Sequence, residues 1–185
     1  MLTRLREATR DAHRAIEAAV FPGGRAFERE AYLRYLAKQH GLLAPLEPLL
    51  DFAWLAIGLS PSPRRKAALV SEDLTFAGVN VAALPACADL PEVVGLSRAL
   101  GCLYVLEGQT LGARVLFRSV RGALGVSRSR GATFLEGYGD ATAERWQELT
   151  AALEKYARLA PGEAPLVVEG AIETFELMHH WLERA

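Results

Sequence analysis

Apolar residues recur at helical spacing along most of this chain, a pattern that predicts helices and no paired strands. A first helix is expected from a Thr3 cap to about Val20, where a turn at residues 21–24 ends it. Further helices are predicted at about 27–44, 62–76, 92–124, 141–159 and 166–183. Prolines restart or kink the chain between residues 45 and 59, and residues 77–91 are connecting structure. The pattern therefore indicates an all-α, single-domain bundle over residues 1–185.

The predicted helix at 92–124 contains two glycines near its middle, Gly108 and Gly112. Each costs roughly 1 kcal/mol relative to alanine in an ordinary helix interior, and an interruption of the helix is expected near them. Residues four apart lie on one face, so the two glycines leave one side of the helix as bare backbone. Two interpretations stay open: a flat or bulky group approaches the main chain there, or another helix packs closely against it.

The first helix carries a histidine at the edge of its apolar stripe. The stripe is formed by Leu2, Leu5, Ala8, Ala12, Ile16, Ala19 and Val20. Glu17 follows His13 by one turn, so its carboxylate can take one ring N–H and make the other nitrogen a better metal ligand. The alternative is a half-buried histidine that simply pairs with Glu17. Arg6 and Arg10 lie beyond the stripe, where they face either the carboxylates of a ligand or solvent.

Two segments of the sequence resemble motifs of one family. Residues 5–13, Leu-Arg-Glu-Ala-Thr-Arg-Asp-Ala-His, are similar to the proximal-helix motif of heme oxygenases. Residues 104–112, Tyr-Val-Leu-Glu-Gly-Gln-Thr-Leu-Gly, are similar to the distal-helix motif of the same family. Together with the helical pattern and the length, the resemblance covers essentially the whole chain, and it is to the short bacterial, biliverdin-producing type. It implies a heme-oxygenase-like helical bundle with a kinked distal helix.

The resemblance also implies an enzyme that cleaves heme oxidatively to biliverdin and releases carbon monoxide and ferrous iron. Heme would be both the substrate and the cofactor that activates molecular oxygen, and an external electron donor would supply the electrons. The alternative on the same fold is a heme-binding protein without turnover, acting as a sensor or a sequestering module.

By the same resemblance, the family's roles fall on positions of this sequence. His13 is the expected axial ligand of the iron, with Glu17 as its partner. Gly108 and Gly112 would let the distal helix lie directly over the heme plane.

The heme propionates and the pocket wall have expected partners as well. Arg6 matches a basic position that meets a propionate, and Tyr104 corresponds to a propionate-contacting tyrosine of bacterial members. Arg10 is a further candidate for a ligand carboxylate. Phe175 and Met178, on the last helix, are expected either to close the distal wall or to belong simply to the core.

One departure from the family pattern falls on Gln109. Many members carry an aspartate directly after the first distal glycine, where it organises the waters that protonate bound oxygen, and some bacterial members carry serine. Gln109 can hold water by hydrogen bonds but cannot be an anionic acceptor. The substitution bears on proton delivery rather than on heme binding.

Composition and charge limit which partners and which cellular location can be expected for the protein. Hydrophobic residues make up 51% of the chain and charged residues 23%, which is ordinary globular usage. The net charge of −1 gives no electrostatic reason to expect nucleic acid or an anionic membrane as a partner. No segment reaches the ~20 apolar residues of a membrane span. Cys87 and Cys102 form no Cys-x-x-Cys pair and indicate two buried thiols in a reducing compartment, so a soluble cytoplasmic protein is predicted.

Two further patterns leave alternatives open. A run of arginines on or just after the distal helix consists of Arg114, Arg118, Arg121, Arg128 and Arg130. It is either a solvated face or a docking surface for an acidic electron donor such as a ferredoxin, a flavodoxin-like protein or a reductase. Glu176 and His179 have the Glu-x-x-His spacing of carboxylate-bridged dimetal bundles, but such sites need two of these motifs and the sequence has one.

Overall fold

The structure is a computed structural model that describes residues 1–20, 28–91 and 93–183. Its regular elements in these ranges are helices. The α-helices of these ranges are α1 (Leu2–Val20), α2 (Arg29–Leu46), α3 (Asp51–Ala56), α4 (Ala67–Phe76), α5 (Leu96–Leu124), α6 (Thr133–Glu136), α7 (Thr142–Leu159) and α8 (Ala164–Glu183). Short 3₁₀ turns lie at Glu47–Leu50, Ser62–Arg64, Val81–Ala83, Gly139–Ala141 and Pro161–Glu163. Extended pairing in the described ranges is limited to isolated bridges at Ser127. The predicted all-α class is confirmed.

The start of α1 is capped differently from the sequence prediction. Thr3 is not the cap, because the helix already begins at Leu2. The backbone N–H of Leu2 instead donates to Oε1 of Glu154, on α7, at 3.0 Å. A distant carboxylate thus satisfies a helix-terminal donor that a local side chain was expected to take. The predicted turn at 21–24 and the predicted helix start at residue 27 lie outside the described residues.

The middle of the chain departs from the prediction at several boundaries. The helix α2 continues through Pro45 to Leu46. The helix expected at 62–76 is divided into a 3₁₀ turn and α4, and the single turn of α6 was not predicted. The expected interruption near the glycines is wrong, since α5 runs from Leu96 to Leu124 as one helix.

The core is organised around α5, which packs most extensively against α8. Two glycines mark the closest approach of these helices. A Cβ added to Gly101 would lie 2.1 Å from the carbonyl oxygen of Val167, and one added to Gly170 would lie 2.3 Å from that of Arg98. Both distances are impossible for a real side chain, so bare backbone at Gly101 and Gly170 is what lets the helices touch.

The helix α1 lies on the same α8 but makes little contact with α5. Its buried residues are Leu5 and Thr9, whereas Ala8 and Ala19 of the predicted stripe are exposed. The two helices that carry the resemblance motifs are therefore joined mainly through α8, which packs against both of them. No helix in the described ranges is both long enough and apolar enough to cross a membrane.

Candidate active site

The two glycines of the predicted bare face differ in what they meet, since Gly112 faces open space and Gly108 lies against a side chain of α7. A Cβ built on Gly112 would meet no described atom within 4 Å. A Cβ built on Gly108 would touch the ring of Trp146 at 3.6 Å, an ordinary van der Waals distance. Among the described residues, helix packing does not explain Gly112, whereas Gly108 does contact α7 through Trp146, at a distance that would also accommodate an alanine. Packing uses Gly101, two turns earlier on the same helix.

His13 stands at the edge of α1 with its side chain 55% exposed. Its Nδ1 lies 3.6 Å from Oε1 of Glu17, at ion-pair distance and slightly beyond a hydrogen bond. This arrangement directs Nδ1 towards the carboxylate and leaves Nε2 as the ring nitrogen for a ligand. The imidazole also meets Phe175 of α8 edge to face, with ring centroids 5.9 Å apart.

Phe175 therefore lies beside His13, and its expected place in the distal wall stays a prediction. Its side chain is buried, as is that of Met178, one turn further along α8. The structure places Met178 in the core cluster. The last helix thus supports the ring of His13 from the side.

Tyr104 connects the two motif-bearing helices. Its hydroxyl lies within hydrogen-bonding reach of Thr9 on α1, and the charge of Arg6 acts on it. Burial raises the pKa of Tyr104, while these two neighbours oppose the increase. The Tyr104 ring also packs against Trp146 of α7, with ring centroids 5.6 Å apart. The contact joins α1 and α5 one turn before His13 and one turn before Gly108.

The structure brings together one of the two predicted basic residues and the tyrosine. Arg6 is exposed and acts on the Tyr104 hydroxyl. Arg10 is also exposed, and its Nε lies 3.9 Å from Oδ1 of its neighbour Asp11. Among the described contacts, none joins Arg10 to Tyr104.

Gln109 turns away from solvent towards α2. Its Nε2 donates to Oε1 of Gln39 at 2.7 Å. The same amide lies within hydrogen-bonding reach of the Tyr35 hydroxyl, whose pKa burial raises well above its usual range. No sequence pattern pointed to these partners, because Gln39 and Tyr35 are polar positions of another helix.

A buried charge cluster directly before Gly108 was missed by the sequence reasoning. Glu107 is fully buried and accepts hydrogen bonds from Arg64, from Nζ of Lys66 at 3.1 Å and from the Tyr138 hydroxyl at 2.9 Å. Arg64 also bonds Glu148 of α7. Burial and the neighbouring Glu107 raise the pKa of Tyr138. A carboxylate inside an otherwise apolar helical run was the available signal, since such a group needs buried partners.

The remaining candidate chemistry lies elsewhere. All five arginines of the basic run are exposed, and Arg128 has a carboxylate of Glu136 at 3.9 Å. Cys87 and Cys102 are buried free thiols, as predicted. His179 pairs with Glu183 at 3.4 Å. In the part of the chain that the structure describes, no three His, Cys, Asp or Glu side chains are grouped to hold a metal ion, so the dimetal alternative gains no support.

Known proteins resemble this chain over nearly its full length. The heme oxygenase family model matches residues 1–184. The heme oxygenase PigA of Pseudomonas aeruginosa is 30% identical over 184 residues, covering 98% of this chain and 90% of that protein. A heme oxygenase of Xanthomonas campestris is 30% identical over 157 residues, covering 82% and 88%. A crystal structure of the NO- and CO-bound heme oxygenase from Neisseria meningitidis matches with a TM-score of 0.79 and 24% identity, covering 99% of this chain and 92% of that one.

The fold is an all-α bundle in which α8 packs against both the histidine-bearing helix and the helix with the open glycine. The chain belongs to the heme oxygenase family. The resemblance to this family is thereby confirmed, and membership of the family supports an enzyme of heme degradation that binds heme as substrate and cofactor. The cytoplasmic location stays a prediction.

Proposed function

We propose that this protein cleaves heme to a biliverdin and releases carbon monoxide and ferrous iron. The observation that carries the proposal is the open backbone at Gly112, one turn after Gly108, which no packing partner in the described ranges explains. Bare backbone facing open space lets a flat ring lie against a helix, which side chains would prevent. The same helix is tied to α1 by the contact of Tyr104 with Thr9, which lies one turn before His13.

We infer a slot for heme between α1 and α5, and the residues on both helices have the chemistry that this ligand needs. His13 offers Nε2 to iron, and Glu17 keeps the ring oriented by facing Nδ1. Arg6 and the Tyr104 hydroxyl form a cationic and phenolic pair for a propionate carboxylate. Arg10, one turn further along α1 and exposed, is a second cation for the same purpose.

The protein side of the reaction is orientation and proton management. Heme, when bound, supplies the iron centre at which molecular oxygen is activated. Gly108 and Gly112 would present main chain rather than side chains to the ring, so the helix backbone would limit the space available to bound oxygen. Gln109 is the neutral polar group beside this face, so it orients protons without taking a charge. The catalytic roles of these three residues are part of the proposal.

The test compares two histidines in matched settings. His13 and His179 both pair with a glutamate four residues later on a helix, at 3.6 and 3.4 Å. The protein is reconstituted with hemin, and a reductant is added under air while the Soret band is followed. Wild type and His179→Ala should convert heme to biliverdin, whereas His13→Ala should lose normal axial ligation and turnover.

Two results would contradict the proposal. An unchanged Soret band in the wild type would instead support a sensor or sequestering protein. Retained spectra and activity in His13→Ala would refute the assignment of the axial ligand. Extraction and identification of the product separates biliverdin from other products of heme breakdown.

We further propose that an acidic donor protein, of the ferredoxin, flavodoxin-like or reductase kind, supplies electrons at the basic face of α5. Arg114, Arg118 and Arg121 are exposed there and have no carboxylate partner among the described residues. Unpaired cations attract an acidic partner, and salt screens this attraction. Charge reversal at Arg118 should lower the rate with an acidic ferredoxin at low salt, while charge reversal at Arg34, exposed on α2, should not.

The ionic strength of the assay distinguishes docking from chemistry. The ferredoxin-driven rate should fall as salt is added, whereas the rate with a small neutral reductant should stay constant. A ferredoxin-driven rate that is insensitive both to salt and to the Arg118 substitution would refute the docking surface and leave the heme proposal intact.

A further inference from the structure

Gln109 is held in place by two side chains of α2. Its Nε2 donates to Oε1 of Gln39 at 2.7 Å, and the Tyr35 hydroxyl lies within hydrogen-bonding reach of the same amide. Gln39 is only 1% exposed, and the Tyr35 ring packs against Phe134 with centroids 6.4 Å apart. A side-chain amide has two N–H groups, which suffices for both partners. The orientation of the amide is therefore restrained from one side.

The other end of this amide is unsatisfied. Oε1 of Gln109 is buried and has no hydrogen-bond partner among the described residues. A buried acceptor without a partner is unfavourable, and native proteins usually fill such a position with an ordered water. A Cβ built on Gly112, three residues later on the adjoining face, would meet no described atom within 4 Å, so this side of α5 has room for a water.

We propose that Gln39 and Tyr35 are positioning residues that fix Gln109 with Oε1 as the acceptor for one ordered water beside the glycine face. The inference rests on the proposed function, since this face is the side of the slot where oxygen would bind. An amide does not ionise near neutral pH. The water would thus be oriented by an acceptor whose charge stays constant, whereas a carboxylate at this position would change its charge with pH.

The first test does not need heme. A high-resolution crystal structure of the protein alone should show a water within hydrogen-bonding distance of Gln109 Oε1, with Nε2 still on Gln39. A dry site, or an amide turned so that Oε1 bonds to protein, would overturn the inference. The proposed function would be unaffected by either result, and a failure to bind heme would leave this test valid.

The second test uses the pH midpoint of the acid–alkaline absorbance transition of the ferric heme complex. An acceptor oxygen stabilises the form that carries the extra proton, so Gln109→Leu should move the midpoint to lower pH by about half to one unit, the equivalent of one hydrogen bond. Gln39→Leu and the milder Tyr35→Phe release the amide and should shift the midpoint in the same direction.

Gln147→Leu, at an exposed glutamine of α7, is the matched control and should leave the midpoint unchanged. A purely structural role of Gln39 and Tyr35 would alter thermal stability without moving this midpoint. Constant midpoints in all the variants, or a shift to higher pH in Gln109→Leu, would overturn the inference. The second outcome would mean that the amide presents its N–H to the site.

Discussion

Replacing Gly112 by alanine should make the fold more stable and the heme complex weaker. The added Cβ would meet no described atom within 4 Å, so the substitution introduces no clash in the free protein. Alanine is favoured over glycine in a helix interior by about 1 kcal/mol, which raises the unfolding temperature of a protein of this size by about 2–4 °C. The same methyl group would protrude into the slot where the proposal places the heme.

The expected loss of affinity follows from overpacking. Forcing one extra methyl group into a filled site costs about 1–3 kcal/mol, which corresponds to roughly a 5- to 150-fold weaker heme complex. Gly112→Leu fills more of the slot and should weaken the complex further. Heme affinity is measured by absorbance titration with hemin, and stability by thermal unfolding of the heme-free protein.

Two glycines of the same helix serve as controls. Gly122 also has open space around its Cβ position, so Gly122→Ala should raise the unfolding temperature without changing heme affinity. Gly101→Ala should destabilise the protein strongly, because its Cβ would lie 2.1 Å from the oxygen of Val167. If Gly112→Ala and Gly122→Ala stabilise the protein equally and both bind heme like the wild type, the glycine face is not the heme site.

Two other predictions concern stability. Glu107→Leu should lower the free energy of unfolding by about 3–5 kcal/mol, because it leaves buried Arg64 and Lys66 without their carboxylate partner. Glu148→Gln changes a half-exposed partner of Arg64 and should cost about 1 kcal/mol or less. Thermal unfolding of both variants checks this, and equal losses would contradict it. The hydrogen bond from the Leu2 N–H lowers the pKa of Glu154. The stability that the Glu154 carboxylate contributes is therefore present above the ordinary carboxyl pKa and is lost as the pH falls through the lowered pKa of the folded protein. At neutral pH the free energy of unfolding of Glu154→Gln should therefore be below that of the wild type, by no more than about 1 kcal/mol because the carboxylate is partly exposed. In strong acid the two proteins should be equally stable. Unfolding curves that differ equally at both pH values would refute this.

The main elements of the fold could be predicted from local patterns. Helical periodicity located α1, α5, α7 and α8 to within a few residues, because each buries one face against a shared core. The predicted helix boundaries were wrong where a residue distant in the sequence determines them. The start of α1 depends on Glu154, more than a hundred residues away, and no local pattern contains that information.

The candidate site was predicted in its parts but not in its arrangement. The spacing of His13 and Glu17 and that of Gly108 and Gly112 follow from 3.6 residues per turn, so the sequence alone determines that each pair shares a helix face. The partners of Gln109 could not be found in this way, since Gln39 lies on another helix, 70 positions earlier.

Three glycines of α5 illustrate what the sequence determined and what only the tertiary structure decided. The sequence does not distinguish Gly101, Gly108 and Gly112, because each is simply a position without a side chain on the same predicted helix. The fold puts the backbone of α8 against Gly101 and leaves open space beside Gly112. Spacing along a helix defines which residues share a face, but what opposes that face depends on how distant helices pack, and this contact assigns one glycine to the core and another to the site.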